Sequence, residues 1–108
     1  MRPNLYWLQC GGCGGDTMSM LSADSPNIAE ATISIGIDVL FHPSFSALTP
    51  ARHLRLLDDL TGGALPLDIL CVEGTVITGP NGTGMFETFA GRAKKDLIAQ
   101  LAARAGAI

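Results

Sequence analysis

This 108-residue chain predicts an α/β fold, a parallel sheet with helices on both faces. Three observations carry that expectation. Short apolar runs alternate with segments of helical periodicity in the order β-α-β-α-β-α. The runs are nearly uniform in apolar residues, as strands covered on both faces are. Ser25-Pro26 and Thr49-Pro50 stand where helices should begin, a capping hydroxyl followed by proline at the first helical position.

Taken in order, Leu5 to Gln9 reads as the first strand, and Thr17 to Ser22 as a short helix. Ile28, Ala29 and Ile33 follow Ser25-Pro26 at helical spacing, and Gly36 can end that helix. Ile37 to Phe41 is a second strand, closed by His42-Pro43. Leu54, Leu57 and Leu60 give the next helix one apolar face, and Gly62-Gly63 ends it. Leu67 to Val72 is the third strand, closed by Glu73-Gly74. A glycine-rich loop with Pro80 leads to a last helix from about Arg92 to Ala105, apolar at Leu97, Ile98 and Leu101. After it, Gly106-Ala107-Ile108 reads as the first residues of a fourth strand.

In a flavodoxin-like version of this fold the strand order is 2-1-3, and ligands sit at the carboxyl ends of strands 1 and 3. The segment after strand 1 and Glu73 after strand 3 therefore belong to one rim. Asp38 and Asp68 mark strand starts or sheet edges. His42 and His53 read as structural residues, and Cys71, mid-strand, as a buried filler.

Composition narrows the function classes. The chain is 47% hydrophobic with mean hydropathy +0.32, and 16% of its residues are charged. Either its surface is partly covered by other protein, or its strands alone account for the apolar excess. The net charge of −3 and the lack of any basic cluster beyond Arg92–Lys95 argue against nucleic acid as a partner. No apolar run is long enough for a transmembrane helix, and no secretory signal is visible. Three cysteines, two of them three positions apart, fit a reducing cytoplasmic compartment with metal or redox chemistry better than a disulfide framework.

The densest chemistry lies in Trp7-Leu8-Gln9-Cys10-Gly11-Gly12-Cys13-Gly14-Gly15-Asp16-Thr17-Met18-Ser19, which holds two thiols, four glycines and a carboxylate. Glycines let the backbone approach a bulky object, and thiolates favour zinc, copper and iron–sulfur clusters. Two registers are open. Cys10-Gly-Gly-Cys13 could be a dithiol or a ligand pair, and Asp16 could be either a ligand or an N-cap for the short helix after it. A dithiol would make the chain a thiol-disulfide oxidoreductase; a metal-free flavodoxin-like fold would make it a nucleotide- or flavin-binding module.

The first strand ending in Trp7-Leu8, the cysteine-rich loop, Val72-Glu73-Gly74, Pro80-Asn81-Gly82-Thr83-Gly84 and Phe89-Ala90-Gly91-Arg92 together resemble the small subunit of nickel–iron hydrogenases across essentially the whole chain. In that family Trp-Leu is followed by four residues and then Cys-Thr-Gly-Cys-Ser-Glu-Ser, whose two cysteines hold the 4Fe–4S cluster nearest the nickel–iron site. Aligned on Trp7-Leu8, the resemblance implies Cys13 as the first ligand and Asp16 in place of the second cysteine. Gly14 and Gly15 lie between them, and Cys10 is the alternative ligand. An aspartate there is similar to the actinobacterial, oxygen-insensitive, hydrogen-oxidising type. The resemblance implies residues 1–108 as the N-terminal part of a flavodoxin-like iron–sulfur domain, cut short before the fourth strand. The chain would be an electron-transfer subunit, with Gly14, Gly15 and Glu73 beside the proximal 4Fe–4S cluster. Further iron–sulfur clusters and ligands would lie beyond Ile108. A large subunit would carry the nickel–iron centre, within a higher oligomer of heterodimers served by a redox acceptor and membrane-associated through partners.

Overall fold

The computed structural model describes residues 2–11, 18–19, 22, 28–43, 46–76, 80–83, 88–89 and 91–108. Their elements run β1 (Asn4–Gln9), α1 (Ile28–Ser34), β2 (Asp38–Phe41), α2 (Pro50–Gly62), β3 (Leu67–Glu73), a 3₁₀ turn (Pro80–Gly82), β4 (Thr88–Phe89), β5 (Arg92–Ala93), α3 (Lys94–Arg104) and β6 (Ala105–Ala107). The main sheet has the order β2-β1-β3-β6 and every pairing in it is parallel. The expected 2-1-3 order is present, with Ala105–Ala107 added as a fourth strand beside β3.

The register of β1 on β3 pairs Tyr6 with Leu70 and Leu8 with Val72, so these four side chains share a face. That face packs under Leu57 and Leu60 of α2 and Leu101 of α3, forming the core with Cys10 and Leu67. Leu60, Leu70 and Leu101 are wholly excluded from solvent, each contributing on the order of 1.5–3 kcal/mol. The β1-to-β2 crossover runs along the sheet in the opposite direction to the others, so right-handed connection sets α1 on the opposite face.

Local chemistry fixes the ends. The Thr49 hydroxyl accepts from the Arg52 amide at 3.3 Å, Pro50 opens α2, and Gly63 closes it in the left-handed conformation. At the amino edge of the sheet, Asn4 and Asp68 exchange bonds. The Asn4 amide donates to Asp68 Oδ2 and the Asp68 amide donates to Asn4 Oδ1, both at 2.8 Å, while Asn4 Nδ2 donates to Pro66 O at 2.7 Å. Asp38 and Asp68 thus stand at strand starts, as the sequence suggested.

The region before the last helix differs from the sequence-based expectation. Arg92 and Ala93 do not open a helix. They pair antiparallel with Thr88 and Phe89, and α3 begins at Lys94. Two forces override helix propensity here: Ala93 is buried, and Arg92 is drawn to Asp58 of α2 at 2.8 Å. The helix also ends one residue early, because Ala105 turns directly into β6. Of the expected short helix 17–22, Met18 and Ser19 are helical, and the Ser22 amide donates to Met18 O at 3.1 Å.

Candidate functional site

Three strand ends meet at the carboxyl rim of the sheet. Cys10 follows β1, His42 follows β2 and Glu73 ends β3; all three are buried. Past the strands the parallel β1–β3 pairing gives way to an isolated antiparallel bridge. The Cys10 amide donates to Glu73 O at 2.7 Å. Gly11 and Thr75 then exchange both backbone bonds, Gly11 N to Thr75 O at 2.9 Å and Thr75 N to Gly11 O at 2.6 Å. This closure requires Gly74. Its φ of +95° is left-handed, and a Cβ there would stand 2.6 Å from Gly11 O. Gly11, the last described residue before the segment that begins at Gly12, is therefore held at a fixed point.

Side chains order the same rim. The Trp7 indole Nε1 donates to Glu73 Oε2 at 3.2 Å, and the Trp7 ring lies against the His42 imidazole with centroids 4.7 Å apart. Burial pushes the His42 pKa down, and the Glu73 carboxylate pulls it the other way. On the opposite face Lys94 Nζ donates to Gln9 O at 2.7 Å, tying the start of α3 to the end of β1.

Of the sequence-derived site residues, Glu73 and Cys10 fall on this rim. Cys13, Gly14, Gly15 and Asp16 lie outside the described residues. Among the described residues no group of three or more histidine, cysteine, aspartate or glutamate side chains could hold a metal ion. The chemistry of the intervening segment fits an iron–sulfur cluster in kind: Cys13 offers a thiolate, and Asp16 a harder oxygen donor. The described backbone narrows how the rim could serve such a group. The amides of Cys10 and Gly11 are spent on Glu73 O and Thr75 O, and so are not available as donors toward a cluster. Cys71 is half-buried on β3, and burial pushes its thiol pKa up, which suits the filler role expected of it.

A second group escaped sequence reasoning. Tyr6, Phe41, His53 and Phe89 come from β1, β2, α2 and β4 and form one aromatic cluster. Phe41 stacks on His53 at 4.0 Å, Phe89 tilts against it at 4.7 Å, and Tyr6 Oη lies 2.7 Å from His53 Nε2. Burial lowers the His53 pKa and raises that of Tyr6. With Leu8, Gln9, Cys10, Pro43 and Lys94 these rings line a cavity of about 320 Å³. The only local signal was His53 on the apolar stripe of α2; its hydrogen-bond partner Tyr6 lies 47 residues away.

No protein-family model matches the chain. It is 25% identical over 114 aligned positions to the F420 non-reducing hydrogenase II small subunit of Methanosarcina mazei, covering 96% of this chain and 30% of that protein. Over 37 residues it is 43% identical to the cytochrome c3 hydrogenase small chain of Acidithiobacillus ferrooxidans, covering 34% of this chain and 92% of that sequence. Among solved structures, the reduced, active Ni-Fe-Se hydrogenase from Desulfomicrobium baculatum superposes with a TM-score of 0.76 at 26% identity. That match covers 97% of this chain and 40% of the other. The recombinant [NiFeSe] hydrogenase of Desulfovibrio vulgaris Hildenborough, at 24% identity and a TM-score of 0.69, shares the fold. The chain thus spans about 30% of the length of the first curated relatives it matches.

Proposed function

The chain belongs to the hydrogenase small subunits, and from that premise we propose that it is the electron-transferring part of a nickel–iron hydrogenase, contributing Cys13 and Asp16 to the proximal 4Fe–4S cluster. The observation that carries this reading is the double backbone bond between Gly11 and Thr75. It holds Gly11, from which the sequence runs on to Cys13 and Asp16, at the rim where a 2-1-3 sheet presents ligands. When bound, the cluster would supply one-electron transfer from the nickel–iron centre of a large subunit toward a redox acceptor. The chain's own task is positional. Gly74 permits the loop closure, Trp7 holds the Glu73 carboxylate, and Gly14 and Gly15 let the backbone come close. The other ligands, and any further clusters, would come from sequence outside these 108 residues, with residues 1–108 forming the N-terminal part of the flavodoxin-like domain.

Asp16 at the second ligand position also supports an actinobacterial-type, oxygen-insensitive enzyme. An oxygen ligand among thiolates changes the cluster's electronics. The dithiol reading finds less support, because Cys10 is only 5% exposed and a redox-exchange thiol must be reached by its substrate.

The test is anaerobic purification of the complete subunit with its partner, followed by iron and acid-labile sulfide analysis and paramagnetic resonance. The proximal-cluster signal is expected to be lost in Asp16→Ala and kept in Cys10→Ala. No iron–sulfur signal would sink the proposal. Loss in Cys10→Ala with retention in Asp16→Ala would move the ligand pair to Cys10 and Cys13.

A further inference from the structure

A groove between α2 and β2, the edge strand of the sheet, shares no residue with the rim. It has a volume of about 290 Å³ and is lined by Leu40 of β2, by Leu48, and by Arg52, Arg55, Leu56 and Asp59 of α2. Arg52 and Arg55 are exposed, and neither guanidinium forms an ion pair with a described residue. Arg2, Arg92 and Lys95, by contrast, each pair with an aspartate. Even Asp59, four residues after Arg55 in the same groove, makes no ion pair with it.

These charges do not serve the helix. The first turn of α2 has no acidic residue and the last turn no basic one; Arg52 and Arg55 stand toward its start, Asp58 and Asp59 toward its end. Cations near the positive end of a helix dipole lower its stability, so the order is the reverse of the stabilising one. A local rule broken without a gain in stability marks a place kept for another purpose. Beside the guanidiniums lie three half-buried leucines, Leu40, Leu48 and Leu56. The volume exceeds the roughly 150 Å³ that accommodates benzene, so one or two apolar side chains fit. The complement is an apolar side chain flanked by carboxylates. The neighbouring edge does not favour an added strand: β2 has four residues, and its register on β1 slips between Val39 and Phe41. Short, irregular edges resist strand addition, which leaves a helix as the form of the partner.

We propose that this groove docks an acidic amphipathic helix of a partner protein. One or two leucine-like side chains of that helix enter between Leu40, Leu48 and Leu56, and its flanking carboxylates accept from Arg52 and Arg55. The groove uses neither Cys13 nor Asp16, so it stands whether or not those residues hold a cluster.

Fluorescence anisotropy of the full chain tests it. The probe is a labelled synthetic helix with leucine at i, i+3 and i+7 and glutamate at the flanking positions. Saturable binding is expected, with the lysine-for-glutamate peptide weaker by about tenfold or more. Combining Arg52→Gln with Arg55→Gln should weaken the acidic peptide by about tenfold. The same pair of changes should leave the urea midpoint no lower, because the lost cations opposed the helix dipole. Lys95→Gln removes a cation already paired with Asp96 and should leave binding unchanged. Should the double variant fail to fold, the peptide contrast and Lys95→Gln still decide. Any of five results would overturn the proposal. They are no saturable binding up to about 1 mM peptide, equal binding of the lysine peptide, and a double variant that binds like the unaltered chain. The fourth is a proline-interrupted peptide that binds as tightly, which would make the ligand non-helical. The fifth is self-association in sedimentation that the double variant abolishes, which would give the groove to a second copy.

Discussion

Gly74→Ala tests the closure on which the candidate site rests. Two penalties combine. An alanine at φ +95° sits in the left-handed region, at a cost of roughly 1–2 kcal/mol. Its Cβ would also stand 2.6 Å from Gly11 O and 3.1 Å from Gly11 C, both backbone atoms that cannot rotate away. The two segments must separate, which breaks the paired Gly11–Thr75 bonds, each contributing about 1 kcal/mol. The expected loss is about 3–4 kcal/mol in the Gly74→Ala protein. Gly82→Ala is the matched control. Its φ is +71° and nothing lies within 4 Å of the added carbon, so only the conformational part, about 1–2 kcal/mol, applies. Urea denaturation of both variants, read from the midpoint at constant slope, separates the two contributions. If Gly74→Ala costs no more than Gly82→Ala, the Gly11–Thr75 closure is not what fixes the loop.

Other consequences can be measured in the same way. Asn4→Ala leaves the Asp68 amide and Pro66 carbonyl without their partner and should destabilise by about 2 kcal/mol in urea melts. Thr49→Ala removes a cap whose bond, at 3.3 Å, is long, so the loss should fall near 0.5–1 kcal/mol. For pH, burial lowers the pKa of both His53 and His42 below the ordinary 6.5. The unfolded chain therefore takes up protons first as pH falls, and stability should drop as pH is lowered through about 6.5 and below. The urea midpoint should be lower at about pH 5.5 than at about pH 7.5, and His53→Gln should lessen that slope.

Much of the fold was legible because its signals are local. Thr49-Pro50, the leucine stripe of α2 and the apolar run of β3 each declare an element within a dozen residues. The rim followed from topology, since alternating strands and helices bring the ends of β1 and β3 together. What stayed hidden depends on distant partners. Nothing near Arg92 shows that it will reach Asp58, 34 residues away, instead of starting a helix. Nothing near Tyr6 announces His53, because the hydroxyl–imidazole pair exists only once α2 lies across the sheet. Glu73 was placed on the rim from its position after the third strand, but its hydrogen bond from Trp7 spans 66 residues and leaves no trace in either local sequence.

The bond between Trp7 and Glu73 has a practical consequence. Trp7 is the chain's one tryptophan, and its indole N–H is held by a carboxylate at the rim where a cluster is proposed. Indole emission is sensitive to the polarity and charge around the ring, and an iron–sulfur chromophore nearby would quench it. The protein therefore carries a built-in optical reporter at the one place where occupancy matters. Within these 108 residues, changes at the rim could be followed through Trp7 fluorescence in real time, without adding a label.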